Sequence, residues 1–429
     1  MDSNPRWVSP VQAQVRFVFA VFVLLFATPA HALTADEVRA WREDFAFLRA
    51  EMPKRHGNLF HAMTPAQFDS ALKAIDGNLP TLDRPGVVVE LMKLDAMVGD
   101  GHSNVSPWRD PEIRFRELPV ALYLFSDGLY VRAAAAGQAS LLGARVTAIG
   151  GVAIEDALKR VDPLLGRDNA MGPKAWAPVL LVMPEILHAV GLSESPDRAT
   201  FTFDGRGDVT LQPAGPFPMR TGEPDKSWMP REGWVDARKE TPLWLADAAD
   251  LYRYAVLPKT LYCQVNAIQQ DPADSLAAFM KRALLAADSA KAERFVLDLR
   301  LNGGGDGTFC RDIVLPLLKS RYDAPGRLWV LMGRRTWSAA QFLLCDLEEW
   351  TNARFAGEPS ASRGNHYGDS RKITLPNSKV TVRVSTLYWQ MWDPRDTRPW
   401  IAPDISVPLD FASYRAGRDP VLERVISSD

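Results

Sequence analysis

The stretch RFVLDLRLNGGG (294–305) decides the fold class of this chain. Its first eight residues have the pattern of a buried strand, and three consecutive glycines follow. Two further apolar runs, TLYCQVNAI (260–268) and RLWVLMG (327–333), alternate with segments of helical pattern. Apolar strands joined by helices indicate a buried, largely parallel sheet. The last third of the chain is therefore predicted to be α/β.

The glycine turn at 303–305 is a first candidate for chemistry, because sites in such sheets lie at the carboxyl ends of the strands. Glycine lets successive N–H groups converge on an anion or on a developing oxyanion. A phosphate loop is an alternative, weakened because no Gly-Lys-Ser/Thr sequence follows. A tight strand-to-helix turn that needs positive φ is another.

A second candidate is Ser338 in TWSAAQ (336–341), between a predicted strand and a predicted helix. A hydroxyl at a helix N-terminus suits a nucleophile, because the helix dipole favours negative charge there. The same residues suit a capping box, with Ser338 as the N-cap and Gln341 bonding back to it. The sequence leaves both interpretations open.

A third candidate is His102 in DGHS (100–103), far from the predicted sheet in sequence. Histidine has an unperturbed pKa of about 6.5, which suits proton transfer near neutrality. A histidine in a polar turn can equally be a surface or capping residue. Any Ser-His pair must use one of five histidines: His56, His61, His102, His188 or His366.

The sequence before the predicted sheet has two parts, one with a helical pattern and one with the pattern of short strands. Apolar residues at helical spacing over 34–99 predict helices. Short strands with turn signals follow, including PVALYLF (119–125) and ARVTAI (144–149), and predict a small β-rich domain.

Composition and the N-terminus narrow the function classes. With 50 Lys+Arg against 52 Asp+Glu among 429 residues, the net charge of -2 argues against nucleic acid as a partner. Basic residues, the apolar run 17–27 and Ala30-His31-Ala32 predict a signal peptide over 1–32, and hence a periplasmic or secreted protein. An uncleaved segment would instead anchor the protein to a membrane. The three cysteines form no disulfide framework and have no metal-ligand spacing.

Seven elements in order resemble the C-terminal processing and tricorn-type serine peptidase family. They are Asp100-Gly-His-Ser, a β domain with Gly150-Gly151, Asp298-Leu-Arg-x-Asn-x-Gly-Gly, Thr336-x-Ser-Ala-Ala, Gly357-Glu-Pro, Pro403-Asp404-Ile405 and Gly417-Arg-Asp-Pro-Val-Leu422. The resemblance implies an α/β fold with a crotonase/ClpP-like catalytic core over 216–429. It also implies a helical N-terminal region over 33–112 and a PDZ-like β-rich domain over 113–215.

Carried over by position, the resemblance makes Ser338 the nucleophile, with the N–H groups of Gly304 and Ala339 as oxyanion donors. Many relatives place a lysine base 25 residues after the nucleophile, where this chain has Arg363. A guanidinium stays protonated and cannot act as a base, although it could bind a substrate carboxylate. The tricorn branch uses a histidine at the position that matches His102, and His366 is the competing base.

The acid that would orient His102 is assigned to Asp396, with Asp393 as an alternative. The sequence thus predicts an exported serine endopeptidase that acts on unfolded or C-terminal peptide segments, without metal or cofactor. If His102 is the base, an unperturbed imidazole predicts an apparent pKa of about 6–7 for kcat/KM. The alternative is a catalytically inactive peptidase-fold protein that binds a peptide or an apolar ligand.

Overall fold

The computed structural model describes residues 32–219, 226–229 and 231–428. Except for residue 32, the predicted signal segment lies outside these ranges and stays a prediction. Within them, no helix combines the length and apolar character that crossing a bilayer requires. The chain from residue 32 onward forms one unit by its contacts.

Three helices come first, as the spacing of apolar residues predicts. They are α1 (Ala35–Arg55), α2 (Pro65–Asn78) and α3 (Arg84–Ala96). Thr34 and Thr64 begin the first two helices with capping boxes, completed by Glu37 and Gln67. Helix α3 is largely buried, so the loop that follows it enters the interior of the protein.

The middle of the chain consists of short strands and helices. The strands are β1 (Arg116–Glu117), β2 (Val120–Phe125), β3 (Gly128–Ala135), β4 (Val146–Ile149), β5 (Val152–Ala153), β6 (Ala199–Phe203), β7 (Gly207–Leu211), β8 (Gly215–Pro216) and β9 (Trp234–Asp236). The helices are α4 (Ile154–Val161), α5 (Met171–Leu180) and α6 (Pro184–Ala189). The strands pair antiparallel in three small sheets, ordered β1-β8, β2-β3-β9 and β5-β4-β6-β7.

The last part contains the predicted parallel sheet. Its strands and those of a neighbouring hairpin are β10 (Tyr252–Leu257), β11 (Thr260–Val265), β12 (Arg294–Asp298), β13 (Leu328–Met332), β14 (Arg354–Gly357), β15 (Asn365–Thr374), β16 (Thr381–Gln390) and β17 (Ile405–Ser406). The helices are α7 (Leu243–Ala246), α8 (Leu276–Ser289), α9 (Arg311–Leu318), α10 (Ala339–Trp350), α11 (Phe411–Ala416) and α12 (Pro420–Ile426).

The sheet order is β10-β11-β12-β13-β14-β17. All its neighbours run parallel except β10, which pairs antiparallel with β11. Every residue of β11 and β13 is buried, which confirms the prediction from their apolar sequences. The glycine turn follows β12, and the loop that carries Ser338 follows β13. These two loops therefore lie at the same edge of the sheet.

The hairpin of β15 and β16 connects this region with the N-terminal helices. Ile373, Val382 and Val384 of the hairpin are buried in the same hydrophobic core as α1 and α3. Two backbone hydrogen bonds join Asn104 and Arg383, each with an N–O distance of 3.1 Å. The hairpin thereby holds the loop that contains His102, although the two are far apart in sequence.

Candidate active site

Ser338 stands at the start of α10 with a backbone that L-residues rarely adopt. Its φ of 57° and ψ of -127° cost of order 1–3 kcal/mol for a residue with a side chain. Its hydroxyl makes no capping bond to the helix, and the side chain of Gln341 pairs with Ser360 instead. The capping-box interpretation is therefore wrong. The backbone N–H of Ser338 donates to Ser362 Oγ at 3.2 Å.

His102 lies against this hydroxyl. Its Nε2 is 2.9 Å from Ser338 Oγ, across a sequence separation of 236 residues. The imidazole is buried and stacks on Trp337 with a centroid distance of 3.9 Å. The structure thus brings together the two residues to which the family resemblance assigns the proton transfer.

Burial lowers the pKa of His102 to about 3, with a further lowering from the neighbouring His366. Asp100 opposes this shift only in part. The imidazole is therefore neutral at physiological pH, which is the form that accepts a proton. The unperturbed imidazole assumed from the sequence has a higher pKa, and burial accounts for the difference.

Asp100 holds the backbone of the His102 loop. Its Oδ1 accepts from the N–H groups of His102 at 2.8 Å and Ser103 at 2.6 Å, and from Ser385 Oγ at 2.8 Å. Its Oδ2 accepts from Ser103 Oγ and lies 2.9 Å from His56 Nε2. Burial raises the pKa of Asp100, but these hydrogen bonds outweigh burial and bring it to about 2. The sequence analysis quotes Asp100 without a role, names His56 only among the five histidines that could pair with a serine, and does not identify Ser385.

Glycines 304 and 305 are required by space as well as by conformation. Gly304 has φ of +110°, and a Cβ there would lie 2.7 Å from Ser338 Cβ. Gly305 has φ of +135°, and a Cβ there would lie 2.1 Å from the carbonyl oxygen of Ile268. Only glycine allows the turn to approach the serine so closely.

The two predicted oxyanion donors differ in their availability. Ala339 is the first residue of α10, and its N–H has no acceptor among the described residues. The N–H of Gly304 donates to Asn302 Oδ1 at 2.9 Å, while Asn302 Nδ2 donates to Val265 O. Of the two predicted oxyanion donors, only the N–H of Ala339 is therefore available in this structure.

The other predicted site residues lie beside the pair or away from it. His366 stacks on His102 with a centroid distance of 5.4 Å, and its Nδ1 is 2.8 Å from the carbonyl oxygen of Arg363. The guanidinium of Arg363 donates to Thr397 O. Asp396 is bound by Arg398. Asp393, the alternative acid, pairs with Arg395. No contact in the described ranges brings Arg363, Asp393 or Asp396 to His102 or Ser338.

One group of described side chains has metal-ligand chemistry. Ligand atoms of His56, His61 and Asp100 lie within 4.8 Å of one another. Both ring nitrogens of His56 are already used, because Nδ1 accepts from the N–H of Asn58 and Nε2 faces Asp100. A metal ion would have to replace these hydrogen bonds.

A cavity of about 370 Å³ lies next to the serine and includes Gly303 and Trp337 in its lining. Its lining also includes Trp108 and Trp176, which stack with a centroid distance of 5.0 Å, and Arg335, whose guanidinium lies 4.1 Å over Trp176. Aromatic and cationic groups thus form a pocket large enough for a side chain of a bound peptide.

Comparisons with known proteins agree on the fold. No protein-family profile matches the chain, and no curated protein sequence matches it. A serine-to-alanine mutant of CPAF matches with a TM-score of 0.61 and 12% identity, over 91% of this chain and 98% of the other. Mature CPAF complexed with lactacystin matches with a TM-score of 0.59 and 12% identity, over 88% and 95%.

The photosystem II D1 C-terminal processing protease also matches, with a TM-score of 0.39 and 13% identity, over 87% and 94%. Similarity at 12% identity establishes a common fold. The match to CPAF confirms, at the level of a mixed α/β fold, the resemblance that the sequence motifs indicated.

Proposed function

We propose that this chain, which has the fold of CPAF and the sequence motifs of C-terminal processing and tricorn-type peptidases, is a serine-type peptidase. Ser338 is the nucleophile and His102 is the general base. The observation that carries the proposal is the 2.9 Å contact between Ser338 Oγ and a buried, neutral imidazole. A hydroxyl within hydrogen-bond reach of a neutral base is the arrangement that nucleophilic catalysis requires.

The reaction proceeds through an acyl-enzyme. His102 Nε2 takes the proton of Ser338 Oγ while this oxygen bonds to the carbonyl carbon of the peptide. The C–N bond then breaks, and the imidazolium gives its proton to the leaving amine. Next, His102 takes a proton from water as the water oxygen attacks the acyl ester. The bond to Ser338 Oγ breaks, this oxygen regains the proton, and the second product is a carboxylic acid. No metal or cofactor is required.

We assign to the N–H of Ala339, at the start of α10, the role of stabilising the oxyanion of the intermediate. The dipole of the helix adds to this stabilisation. The N–H of Gly304 can act as a second oxyanion donor only after its hydrogen bond to Asn302 Oδ1 breaks. We assign the cavity beside Trp337 to a side chain of the substrate. A substrate in an unfolded or C-terminal segment suits this site, since an extended chain can reach the partly exposed Ser338.

The proposal extends to architecture and location. Residues 33–112 are the helical region, 113–215 the PDZ-like domain and 216–429 the crotonase/ClpP-like catalytic core. The antiparallel sheets of the middle region and the parallel sheet of the last region support two such parts, although β9 (Trp234–Asp236) of the last part pairs with β3 of the middle one. With segment 1–32 as a signal peptide, the enzyme acts in the periplasm or outside the cell.

A fluorophosphonate probe and an unfolded casein substrate test this function. We expect the wild type to be labelled and to cleave casein, and Ser338→Ala to do neither, because the probe needs an activated hydroxyl. Ser289→Ala, which changes an exposed serine of α8, is the matched control and is expected to behave as wild type. Labelling of Ser338→Ala at the wild-type rate would exclude the mechanism. A wild type without labelling or cleavage would favour the inactive, ligand-binding alternative.

The protonation state of His102 gives a separate prediction. Because burial lowers its pKa to about 3, His102 should stay neutral from about pH 8 down to about pH 5. We expect the ¹⁵N NMR signals of its ring, assigned with a His102→Gln variant, to keep the chemical shifts of a neutral imidazole over this range. An exposed histidine would titrate near pH 6.5 in the same spectra. Titration of His102 between about pH 6 and 7 would contradict the prediction.

A further inference from the structure

Asp168 is an acidic residue beside the His102 loop that neither the sequence motifs nor the proposed mechanism uses. Its Oδ1 accepts the N–H of Gly101 at 2.9 Å. A Cβ at position 101 would lie 3.2 to 3.3 Å from three atoms of this carboxylate, so the two groups are in close contact. Because Gly101 has no side chain, the Asp168 carboxylate can contact its backbone directly, one residue before His102.

Two buried polar atoms in this region have no partner among the described residues. One is the second oxygen of Asp168, Oδ2, and the other is Nδ1 of His102. A buried polar atom without a partner is costly, and such atoms cluster at functional sites. Asp393 and Asp396, which the sequence suggested as orienters of His102, are paired with arginines. The role of the acid that supports His102 is therefore open to another residue.

We infer that Asp168 is the acidic positioning residue of the His102 loop in the proposed peptidase. Its carboxylate holds the Gly101 N–H, and its negative charge stabilises the imidazolium that forms when His102 takes the proton of Ser338. This inference rests on the proposed function, because it assigns a role to Asp168 within that reaction.

The attachment of the Asp168 loop does not depend on this carboxylate. The neighbouring residue Asn169 donates through Nδ2 to the carbonyl oxygens of Ser360 at 3.1 Å, Ser362 at 3.3 Å and Pro399 at 2.9 Å. The two N–H hydrogens of this buried amide are shared among the three oxygens, and they hold the loop to Ser360 and Ser362 after β14 and to Pro399 before β17. An amide in place of the Asp168 carboxylate therefore removes the charge while leaving the loop anchored.

The groups that face Asp168 set the pH at which its charge appears. Burial raises its pKa to about 6, and the negative charge of Asp100 adds to this. The neighbouring His366 and the hydrogen bond from the Gly101 N–H act in the opposite direction. The carboxylate is ionised above about pH 6 and neutral below it. Activity that depends on the charge must therefore rise as the pH increases through about 6, whereas His102 itself does not titrate there.

The test measures the rate of fluorophosphonate labelling against pH, from about pH 5 to about pH 8. We expect the wild-type rate to rise with an apparent pKa of about 6. Asp168→Asn should be labelled at least about 10-fold more slowly at pH 8 and should lose the rise near pH 6. Asp168→Glu, which keeps the charge, should retain the rise. Asp156→Asn, which removes an exposed carboxylate paired with Lys159, is the matched control and should follow the wild type.

The possible results separate this inference from the proposed function. A wild type that is not labelled at any pH overturns both. A labelled wild type with a flat profile overturns the role of Asp168 alone, and needs no variant, so it decides the matter even if Asp168→Asn fails to fold. Asp168→Asn with the wild-type rate and profile overturns it as well. Asp396→Asn is the competing variant, and loss of the pH 6 rise there instead would return the role to the acid suggested by the sequence.

Discussion

Replacing His102 by glutamine is expected to lower kcat/KM on an unfolded protein by about 10⁴-fold or more. Glutamine is similar in length to histidine and can still hydrogen-bond to Ser338 Oγ, but it cannot take up a proton at neutral pH. The serine then remains a neutral hydroxyl, which is a weak nucleophile. The loss should fall mainly on kcat, because His102 acts on the proton and not on the distant parts of a bound peptide.

The measurement compares initial rates on fluorescently labelled casein for the wild type and His102→Gln, with circular dichroism to verify folding. His188→Gln is the control. His188 lies in α6, where its Nδ1 is 3.1 Å from the carbonyl oxygen of Ser193. We expect it to keep the wild-type rate. If His102→Gln retains more than about a tenth of wild-type activity, another group is the base, and His366 is the nearest imidazole to examine.

Replacing Gly304 by alanine is expected to reduce kcat by about 100-fold or more. The added methyl group would lie 2.7 Å from Ser338 Cβ and 3.0 Å from both the N of Ala339 and the carbonyl oxygen of Trp337. Two of these three atoms are backbone atoms, which cannot rotate away. The serine or the turn must therefore move, and a displacement of about 1 Å is sufficient to break the alignment of Ser338 with His102.

Gly326→Ala is the control that distinguishes the steric clash at Gly304 from the cost of backbone strain at a positive φ. Gly326 has φ of +77°, and a Cβ at that position would meet nothing within 4 Å. Gly326→Ala therefore pays the conformational cost of about 1–2 kcal/mol without a collision. We expect it to lower the melting temperature modestly and to leave kcat unchanged. Equal activity of Gly304→Ala and wild type would show that the turn tolerates a side chain and is not part of the site.

Much of the fold follows from local sequence patterns. Side-chain periodicity and capping residues act over a few positions, so the helices after Thr34 and Thr64 and the buried strands before 303 and 333 could be predicted. The glycine turn and Ser338 could also be recognised as unusual residues at the ends of strands. The resemblance in motifs then proposed roles for Ser338, His102, Gly304 and Ala339, all of which lie in or beside the site.

Other features depend on how distant segments pack. Asp396 and Asp168 both lie in loops, and nothing in their local sequence shows which one contacts the loop that carries His102. The packing decides, because Asp396 lies beside Arg398 while Gly101 leaves space for Asp168. The lowered pKa of His102 depends on packing for the same reason, since burial is not visible in the residues next to it.

The amino-acid sequence by itself determined the elements of this protein, its parallel sheet, and the reactive residue types at the edge of that sheet. The tertiary structure alone decided that His102 meets Ser338 across 236 positions and that Asp168 accepts the N–H of Gly101, the residue before His102. The physical reason is the range of the forces involved. Strand and helix formation depend on neighbouring residues, whereas the contact of two loops depends on the core that the β15–β16 hairpin shares with α1 and α3.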